Sequence, residues 1–353
     1  AFLADPLQYY QAIDFGGGAV VFHLVFLFMT AGIVYSGVRR GIETATKIMT
    51  SAIFVLLVVL AAWATTLDGA ASGYSFYLSL DFGALRANWL DILFSAAGQA
   101  LFTLSLGVGA MITYASYIDD DRSLPADSTV IAGLNTTVGV LTGLVVFPIL
   151  FTTAGEAGSQ GPGALFIGIA AAFDALPFGS PIAVVFFGTV LIAALTSSIS
   201  MLEVPVAYLA DEHGIERQLA TIALTGVIIV SGSITALYQT IFNFVAGTLV
   251  DLMLTFGLLA FCIFVAWVLG NGAIEEFRKG TRFSTTYANS WLILIGTVLP
   301  IFLLFTLLAN LTDIAGITIP SLGPFAPNHV TAIAAVMAVV VTIVVVRTDQ
   351  SLD

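Results

Sequence analysis

Residues 93–121 read LFSAAGQALFTLSLGVGAMITYASYIDDD, which is long enough to cross a lipid bilayer and has a polar, glycine-rich centre at 103–109. Because lipid offers no water to backbone N–H and C=O groups, a membrane span normally stays helical throughout. Gly107 and Gly109, set among hydroxyl side chains, therefore predict a helix that breaks inside the membrane. Broken helices are where transporters hold substrates and ions.

The composition of the whole chain favours membrane insertion. Of the 353 residues, 59% are hydrophobic and 9% are charged, and the mean hydropathy is +1.04. Soluble domains carry about 25% charged residues, so the chain is predicted to be an all-α polytopic membrane protein. The single cysteine, Cys262, excludes an intramolecular disulfide.

Nine segments reach the roughly 20 residues that a helix needs to cross a membrane. The apolar region 160–180 is shorter and bracketed by glycine and proline, which predicts a re-entrant or loop-capping helix. The nine predicted spans are 19–38, 46–67, 91–117, 129–151, 182–210, 219–240, 245–270, 288–310 and 330–346.

The basic residues predict the orientation, because Lys and Arg accumulate in the cytoplasmic loops of membrane proteins. Nine of the ten fall on one side of the predicted spans, and Arg86 alone falls on the other. The side with nine is therefore predicted to be cytoplasmic, with residues 1–18 external and the C-terminus cytoplasmic. The expected location is the cytoplasmic membrane.

Three groups of motifs resemble those of the neurotransmitter:sodium symporter family. The resemblance covers nearly the whole chain and implies the LeuT-like inverted-repeat fold, with the nine spans matching the family's fourth to twelfth. It also implies that the first three spans are missing. The motifs are Gly98-Gln99 with Phe102–Gly107 and Tyr114–Tyr117, Thr196-Ser197-Ser198, and Gly37–Lys47.

This resemblance also implies a division of the chain. Residues 1–18 would be the remnant of an external loop, and 19–67 the last two spans of the first repeat. Residues 91–270 would form the second inverted repeat, with an external loop helix near 160–180, and 288–346 the two trailing spans.

The function implied by the resemblance is sodium-coupled symport of an amino acid by alternating access. The expected partners are an amino acid, sodium as the coupling ion and the bilayer, with no organic cofactor and no nucleic acid. A channel would need a ring of carbonyls or like charges, and no such repeat is found. A membrane-embedded enzyme is disfavoured because His23, His213 and His329 are scattered and none pairs with a carboxylate in a span.

Hydroxyl and amide groups inside the spans are the candidate ion ligands. An isolated Ser or Thr usually forms a hydrogen bond to its own helix, and a lone Asn usually forms one to a neighbouring helix. A group of several such oxygens, in contrast, suits a hard cation. By resemblance, the sodium ligands would be Thr103, Asn135, the Ala193 carbonyl, Thr196 and Ser197. The substrate pocket would be lined by Phe102, Thr103, Ser105, Val108, Ser197 and Met201.

The resemblance assigns further roles at the edges of this site. The family's leucine carrier has a bulkier aromatic where Val108 stands, so a larger substrate is expected to fit. Gln99 matches the glutamine of a chloride site, but chloride-independent relatives carry a carboxylate where this chain has Gly139, which leaves the chloride requirement open. Tyr117 and Asp211 match the inner gate, whose basic partner would lie on the missing N-terminal segment.

Glu203 is an acid inside a predicted span, seven positions after Thr196 and therefore on the same helical face. An ionisable group there is a functional candidate by default. Two roles fit it. It is either a protonated or paired group that holds two helices together, or the proton carrier of a proton-coupled or other-solute transporter with the same fold.

Overall fold

The computed structural model describes residues 10, 13–118, 122–153, 164–281 and 285–314, and its secondary structure there is entirely helical. Seven of the described helices are long and apolar enough to cross a membrane. They are α1 (Gly17–Tyr35), α2 (Val38–Ala64), α7 (Leu124–Thr153), α9 (Gly179–Asp211), α10 (Arg217–Leu237), α11 (Gln239–Leu269) and α13 (Thr285–Thr312). The shorter ones are α3 (Ala70–Leu78), α4 (Phe82–Ala87), α5 (Trp89–Thr103), α6 (Ala110–Ala115), α8 (Ala170–Ala175) and α12 (Asn271–Arg278).

These helices confirm the all-α polytopic prediction. Seven predicted spans correspond to the seven long helices. The predicted span 91–117 is the pair α5 and α6, which a short irregular segment separates. The predicted span 330–346 lies outside the described residues.

The connection between the first two long helices is tight, because the chain turns directly into α2. Gly37, with φ of +87°, ends α1, and a π-helical turn over Val38–Glu43 begins the next helix. This turn lies so close to α1 that a Cβ on Gly41 would be 2.1 Å from the Ile33 carbonyl oxygen. Glycine at 37 supplies the positive φ and glycine at 41 the close approach, so no longer loop is needed.

A short helix occupies the described part of the region 160–180. A π-helical turn, Ala164–Ile169, leads into α8, and the apolar run Leu165–Asp174 is too short to cross a bilayer. Leu176 has an extended backbone before Pro177, as proline requires of its predecessor. A short helix therefore lies within the predicted range, and its role as an external loop helix stays a prediction.

The chain folds into two compact units, of which the first contains the described residues up to Ala87 and Gly133–Phe242. In this unit α9 packs against α1, α2 and α10. Membrane helices associate through close packing rather than through exclusion from water. A buried cluster joins α2, α7, α8 and α9, and consists of Leu60, Ala64, Leu67, Val145, Ile149, Leu150, Ile169, Ala172, Phe173, Leu176 and Phe186.

The second unit contains Asn88–Ala132 and the described residues from Asn243 onward. Leu101 of α5, Cys262 of α11 and Leu303 of α13 form its buried centre. The indole Nε1 of Trp267 donates a hydrogen bond of 3.0 Å to the Gly296 carbonyl. Both residues lie in π-helical turns, where the helical hydrogen-bond register shifts, so this bond joins α11 and α13 at two irregular turns.

Candidate functional site

The helix break predicted from the sequence is confirmed. α5 ends at Thr103 and α6 begins at Ala110, so residues 104–109 interrupt the helix. Ser105 has φ of +51° and Gly109 has φ of +90°. A positive φ is uncommon for a residue other than glycine and costs about 1–3 kcal/mol where it occurs. The strained backbone of Ser105 therefore indicates that tertiary packing helps to hold the break in place.

Inside the break the backbone hydrogen bonds leave the regular helical pattern. The Ser105 N–H donates to the Phe102 carbonyl at 3.1 Å, and the Val108 N–H donates to the Ser105 carbonyl at 3.4 Å. The i to i−4 pattern resumes with the Thr113 N–H, which donates to the Gly109 carbonyl at 2.9 Å. Helix ends in mid-span present backbone carbonyls that can coordinate a cation and N–H groups that can bind an anionic substrate group.

The break is held against α11 by backbone contact. A Cβ on Gly107 would lie 1.9 Å from the Leu254 carbonyl oxygen, and a Cβ on Gly257 would lie 2.1 Å from the Gly107 carbonyl oxygen. Two glycines thus allow the unwound segment and α11 to approach more closely than side chains permit. This close approach gives the break a rigid support within its own unit.

The other predicted site residues of this unit lie just before the break or within it. Gln99, Phe102 and Thr103 lie on α5 up to its last residue, and Val108 lies half-buried in the irregular segment. Phe102 is 62% exposed. These side chains therefore belong to one continuous element, and their roles in binding remain predictions.

A cluster of oxygens lies on α9, in the first unit. The Thr196 hydroxyl donates to the Ala193 carbonyl at 2.7 Å, and the Ser197 hydroxyl donates to the same carbonyl at 3.4 Å. The three oxygens predicted as ligands thus lie within one helical turn. Each hydroxyl retains acceptor lone pairs, which a hard cation would use. The cluster can supply part of a cation shell, with the remaining ligands coming from elsewhere.

Met201 and Asn135 lie in the same unit as this cluster. Met201 is 42% exposed and follows the exposed Ser197 by four positions, so both residues lie on one face of α9. Asn135 lies half-buried on α7. Its predicted role as an ion ligand remains a prediction.

Glu203 forms an ion pair with Arg217. The Glu203 side chain is fully buried, and the Arg217 side chain is 23% exposed. Because Arg217 is the first residue of α10, the pair joins the C-terminal half of α9 to the next helix. A buried carboxylate requires such a partner, since an isolated buried charge is very costly. This geometry favours the helix-joining role for Glu203.

The sequence interpretation used Arg217 only to assign orientation and did not recognise it as the partner of Glu203. A signal was present: an acid two turns before the end of one span, followed by a basic residue at the start of the next. That spacing alone does not show which face of each helix the two side chains occupy. The pairing of Glu203 with Arg217 therefore depends on the packing of α9 against α10, which the spacing does not contain.

The two predicted gate residues lie at helix ends. The Tyr117 ring packs edge-on against Tyr114, with ring centroids 6.4 Å apart, just after α6. Asp211 is the exposed last residue of α9. Gly139 is the position where some relatives are expected to carry a carboxylate. Apart from the nearby backbone of α7, no described atom lies within 4 Å of a Cβ built on Gly139. The helix therefore has room there for a larger side chain.

Comparison with known proteins places these features in a family. The family model described as "Sodium:neurotransmitter symporter family" matches residues 2–350. The chain is 31% identical over 299 residues to the "Uncharacterized sodium-dependent transporter YhdH" of Bacillus subtilis, covering 81% of the chain and 65% of that protein. It is 29% identical over 304 residues to the sodium-dependent dopamine transporter of Bos taurus, covering 79% of the chain and 42% of that protein.

A solved structure shows the same fold. MhsT in complex with L-phenylalanine matches with a TM-score of 0.67 and 31% sequence identity, covering 88% of this chain and 69% of that chain. The chain spans 65% of the length of YhdH, a little under two thirds. The long apolar helices and these similarities together show a multi-pass membrane protein with the LeuT-like fold, and the chain belongs to the sodium:neurotransmitter symporter family.

Proposed function

We propose that the protein containing this chain is a sodium-coupled symporter that carries an amino acid across the cytoplasmic membrane by alternating access. The observation that carries the proposal is the break at 104–109, whose strained serine and glycine contacts hold an unwound backbone segment in a membrane span. A preformed break of this kind is where secondary transporters bind substrates and ions. The relative MhsT, solved with L-phenylalanine, supports an amino acid as the substrate class.

The sodium ligands of this proposal are the Thr103 hydroxyl and Asn135, together with the α9 oxygens of Ala193, Thr196 and Ser197 for a second ion. The clustering of the two α9 hydroxyls on one carbonyl supports the second group. The substrate-binding residues of this proposal are Phe102, Thr103, Ser105 and Val108 at the break, and Ser197 and Met201 on α9. Gln99 is the candidate chloride ligand.

The proposed architecture assigns residues 19–67 to the end of a first repeat and 91–270 to a second, inverted repeat. In this assignment the turn between α1 and α2, next to Arg39 and Arg40, and the α9–α10 loop lie on the cytoplasmic side. Asp211 and Tyr117 would form the inner gate there. The ion pair of Glu203 and Arg217 would then lie on the cytoplasmic side of the substrate site.

A thermal-stability screen of the purified protein tests the proposal directly. The twenty amino acids would be added singly, in sodium and in an equal concentration of choline. A ligand that binds only the folded state raises the unfolding temperature by mass action, so at least one amino acid should stabilise the protein in sodium and fail to do so in choline. Equal stabilisation in both salts would contradict sodium coupling.

Thr103→Val should weaken sodium and substrate binding together. The proposal places this hydroxyl on an ion that lies beside the substrate, and coupling between two ligands is reciprocal. Losing a hydrogen-bonding or coordinating group of this kind costs about 1–2 kcal/mol, so we expect a roughly tenfold rise in the sodium concentration for half-maximal substrate binding.

Thr306→Val is the matched control for Thr103→Val. The Thr306 hydroxyl donates to the Phe302 carbonyl of its own helix, in the same unit, and this variant should retain the wild-type sodium curve. If Thr103→Val also retained that curve, Thr103 would not belong to the ion site.

Val108→Phe should shift the substrate preference towards smaller side chains. Val108 is half-buried in the irregular segment, and an added ring in a packed site costs about 1–3 kcal/mol. Competition binding with amino acids of increasing size would measure the shift. Val268→Phe, at a position on α11 that is 68% exposed, should leave the profile unchanged. An identical profile for Val108→Phe would remove this residue from the pocket.

A further inference from the structure

The interface between α1 and α9 contains one hydrogen bond between side chains. Thr30 of α1 is 1% exposed, and its Oγ1 lies 2.7 Å from the Oγ of Ser198. Ser198 directly follows Thr196 and Ser197, the two hydroxyl residues proposed as sodium ligands. The contact therefore reaches the proposed ion site from a helix to which neither the sequence motifs nor the resemblance assigns a role in it.

The two hydroxyls and two backbone carbonyls form a chain of three contacts, with only two hydroxyl protons to share among them. Thr30 Oγ1 is also within 3.0 Å of the Phe26 carbonyl, and Ser198 Oγ is within 2.9 Å of the Leu195 carbonyl. Each hydroxyl has one proton to donate, so two protons serve three contacts. If both hydroxyls donated to their own helix carbonyls, two oxygens would lie 2.7 Å apart with no proton between them, which is repulsive. Two arrangements remain. Either Ser198 donates to Thr30 and Thr30 to Phe26, or Thr30 donates to Ser198 and Ser198 to Leu195. The hydroxyl-to-hydroxyl bond is retained in both arrangements.

This bond restrains the rotation of α9 about its axis. Successive residues of a helix are turned by about 100°, so Ser198 points roughly opposite to Thr196. A side-chain oxygen lies about 5 Å from the helix axis, and a rotation of about 10° therefore displaces it by almost 1 Å. Binding groups must be held to within about 0.5 Å and 10–20° of the productive geometry. A bond at the rear of the helix is thus well placed to set the position of the hydroxyls at the front.

We propose that Thr30 is a positioning residue for the sodium site on α9, and that it orients Thr196 and Ser197 through its hydrogen bond to Ser198. This inference rests on the proposed sodium coupling. Interhelical packing in lipid has little hydrophobic driving force, so such a bond contributes to helix orientation. Thr30 itself touches neither ion nor substrate in this proposal.

The test uses the intact transporter and measures substrate binding as a function of sodium concentration. Thr30→Val removes the hydroxyl while keeping the side-chain shape. Bonds of this kind in membranes are worth about 0.6 kcal/mol and at most about 1.7 kcal/mol, so the sodium concentration for half-maximal binding should rise roughly threefold and at most about eighteenfold. At saturating sodium, substrate affinity should stay within about twofold of wild type. Thr30→Ser, which retains the hydroxyl, should restore the wild-type curve.

Three further variants make the result decisive. Ser198→Ala removes the other oxygen and should reproduce the shift, and the double variant Thr30→Val with Ser198→Ala should shift no further, since both changes break one bond. Thr189→Val is the control: Thr189 is 5% exposed on α9, and its hydroxyl donates to the Val185 carbonyl of the same helix at 2.8 Å. Its sodium curve should match wild type.

Three outcomes would overturn the inference. A sodium curve unchanged in Thr30→Val or in Ser198→Ala, in a wild-type protein that responds to sodium, removes the positioning role and leaves the proposed function intact. Equal shifts in Thr189→Val would show a general packing effect. A wild-type protein whose substrate binding ignores sodium would overturn the proposed function and this inference together.

Discussion

Replacing Gly107 by alanine is expected to abolish sodium-dependent substrate binding and to lower the unfolding temperature by several degrees. The new Cβ would lie 1.9 Å from the Leu254 carbonyl oxygen and 2.6 Å from the Leu254 carbonyl carbon. These are backbone atoms, so no rotamer change relieves the clash and the break must move away from α11. Overpacking of this kind costs about 1–3 kcal/mol, and a displacement of about 1 Å at a binding site reduces function about a hundredfold.

The experiment compares Gly107→Ala with two other glycine variants. Gly98 lies within α5, and no atom lies within 4 Å of its Cβ position, so Gly98→Ala should stabilise the helix by about 0.5–1 kcal/mol. Gly257→Ala meets the Gly107 carbonyl oxygen at 2.1 Å from the opposite side and should reproduce the loss. Thermal unfolding and sodium-dependent binding are the two readouts. A Gly107→Ala protein with wild-type values of both would show that the break does not depend on α11.

The second large effect is expected from Glu203→Gln. This change removes the carboxylate that pairs with the Arg217 guanidinium, and removal of one member of a buried pair costs about 3–5 kcal/mol. Because Arg217 is 23% exposed, water can solvate part of its charge, and we expect a loss near the lower end of that range. Thermal unfolding would show it as a clear fall in the midpoint.

A double variant separates the helix-joining role of Glu203 from the proton-carrier role. Glu203→Gln combined with Arg217→Gln removes both charges and should recover much of the stability, and its transport should retain the wild-type dependence on pH. Glu276→Gln, in the exposed pair with Lys279, is the control and should be nearly neutral. The contrary outcome is a double variant that folds well and keeps sodium-driven binding but loses the pH dependence of transport. Glu203 would then carry a proton, and the proton-carrier role would replace the helix-joining role.

Much of the fold follows from local properties of the sequence. A long apolar run predicts a span wherever it occurs, because lipid requires each helix to satisfy its own backbone hydrogen bonds. Residues 103–109 predict the break in the same local way, since glycines weaken a helix irrespective of its neighbours. The tight reversal at Gly37 and Gly41 was not predicted, because it depends on contact with α1, which a pattern of hydropathy does not contain.

The same distinction between local sequence features and tertiary contacts applies to the candidate binding site. The sequence alone determined which residue types occupy the break and the middle of α9, since Thr103, Ser105 and the run at 196–198 are visible as polar groups in apolar spans. Tertiary structure alone decided their supports: Gly107 against Leu254, Arg217 against Glu203, and Thr30 against Ser198. The physical reason is that these contacts join residues far apart in the chain. Each depends on how one helix is rotated and packed against another, and helical periodicity shows which residues share a face but not which neighbour that face meets.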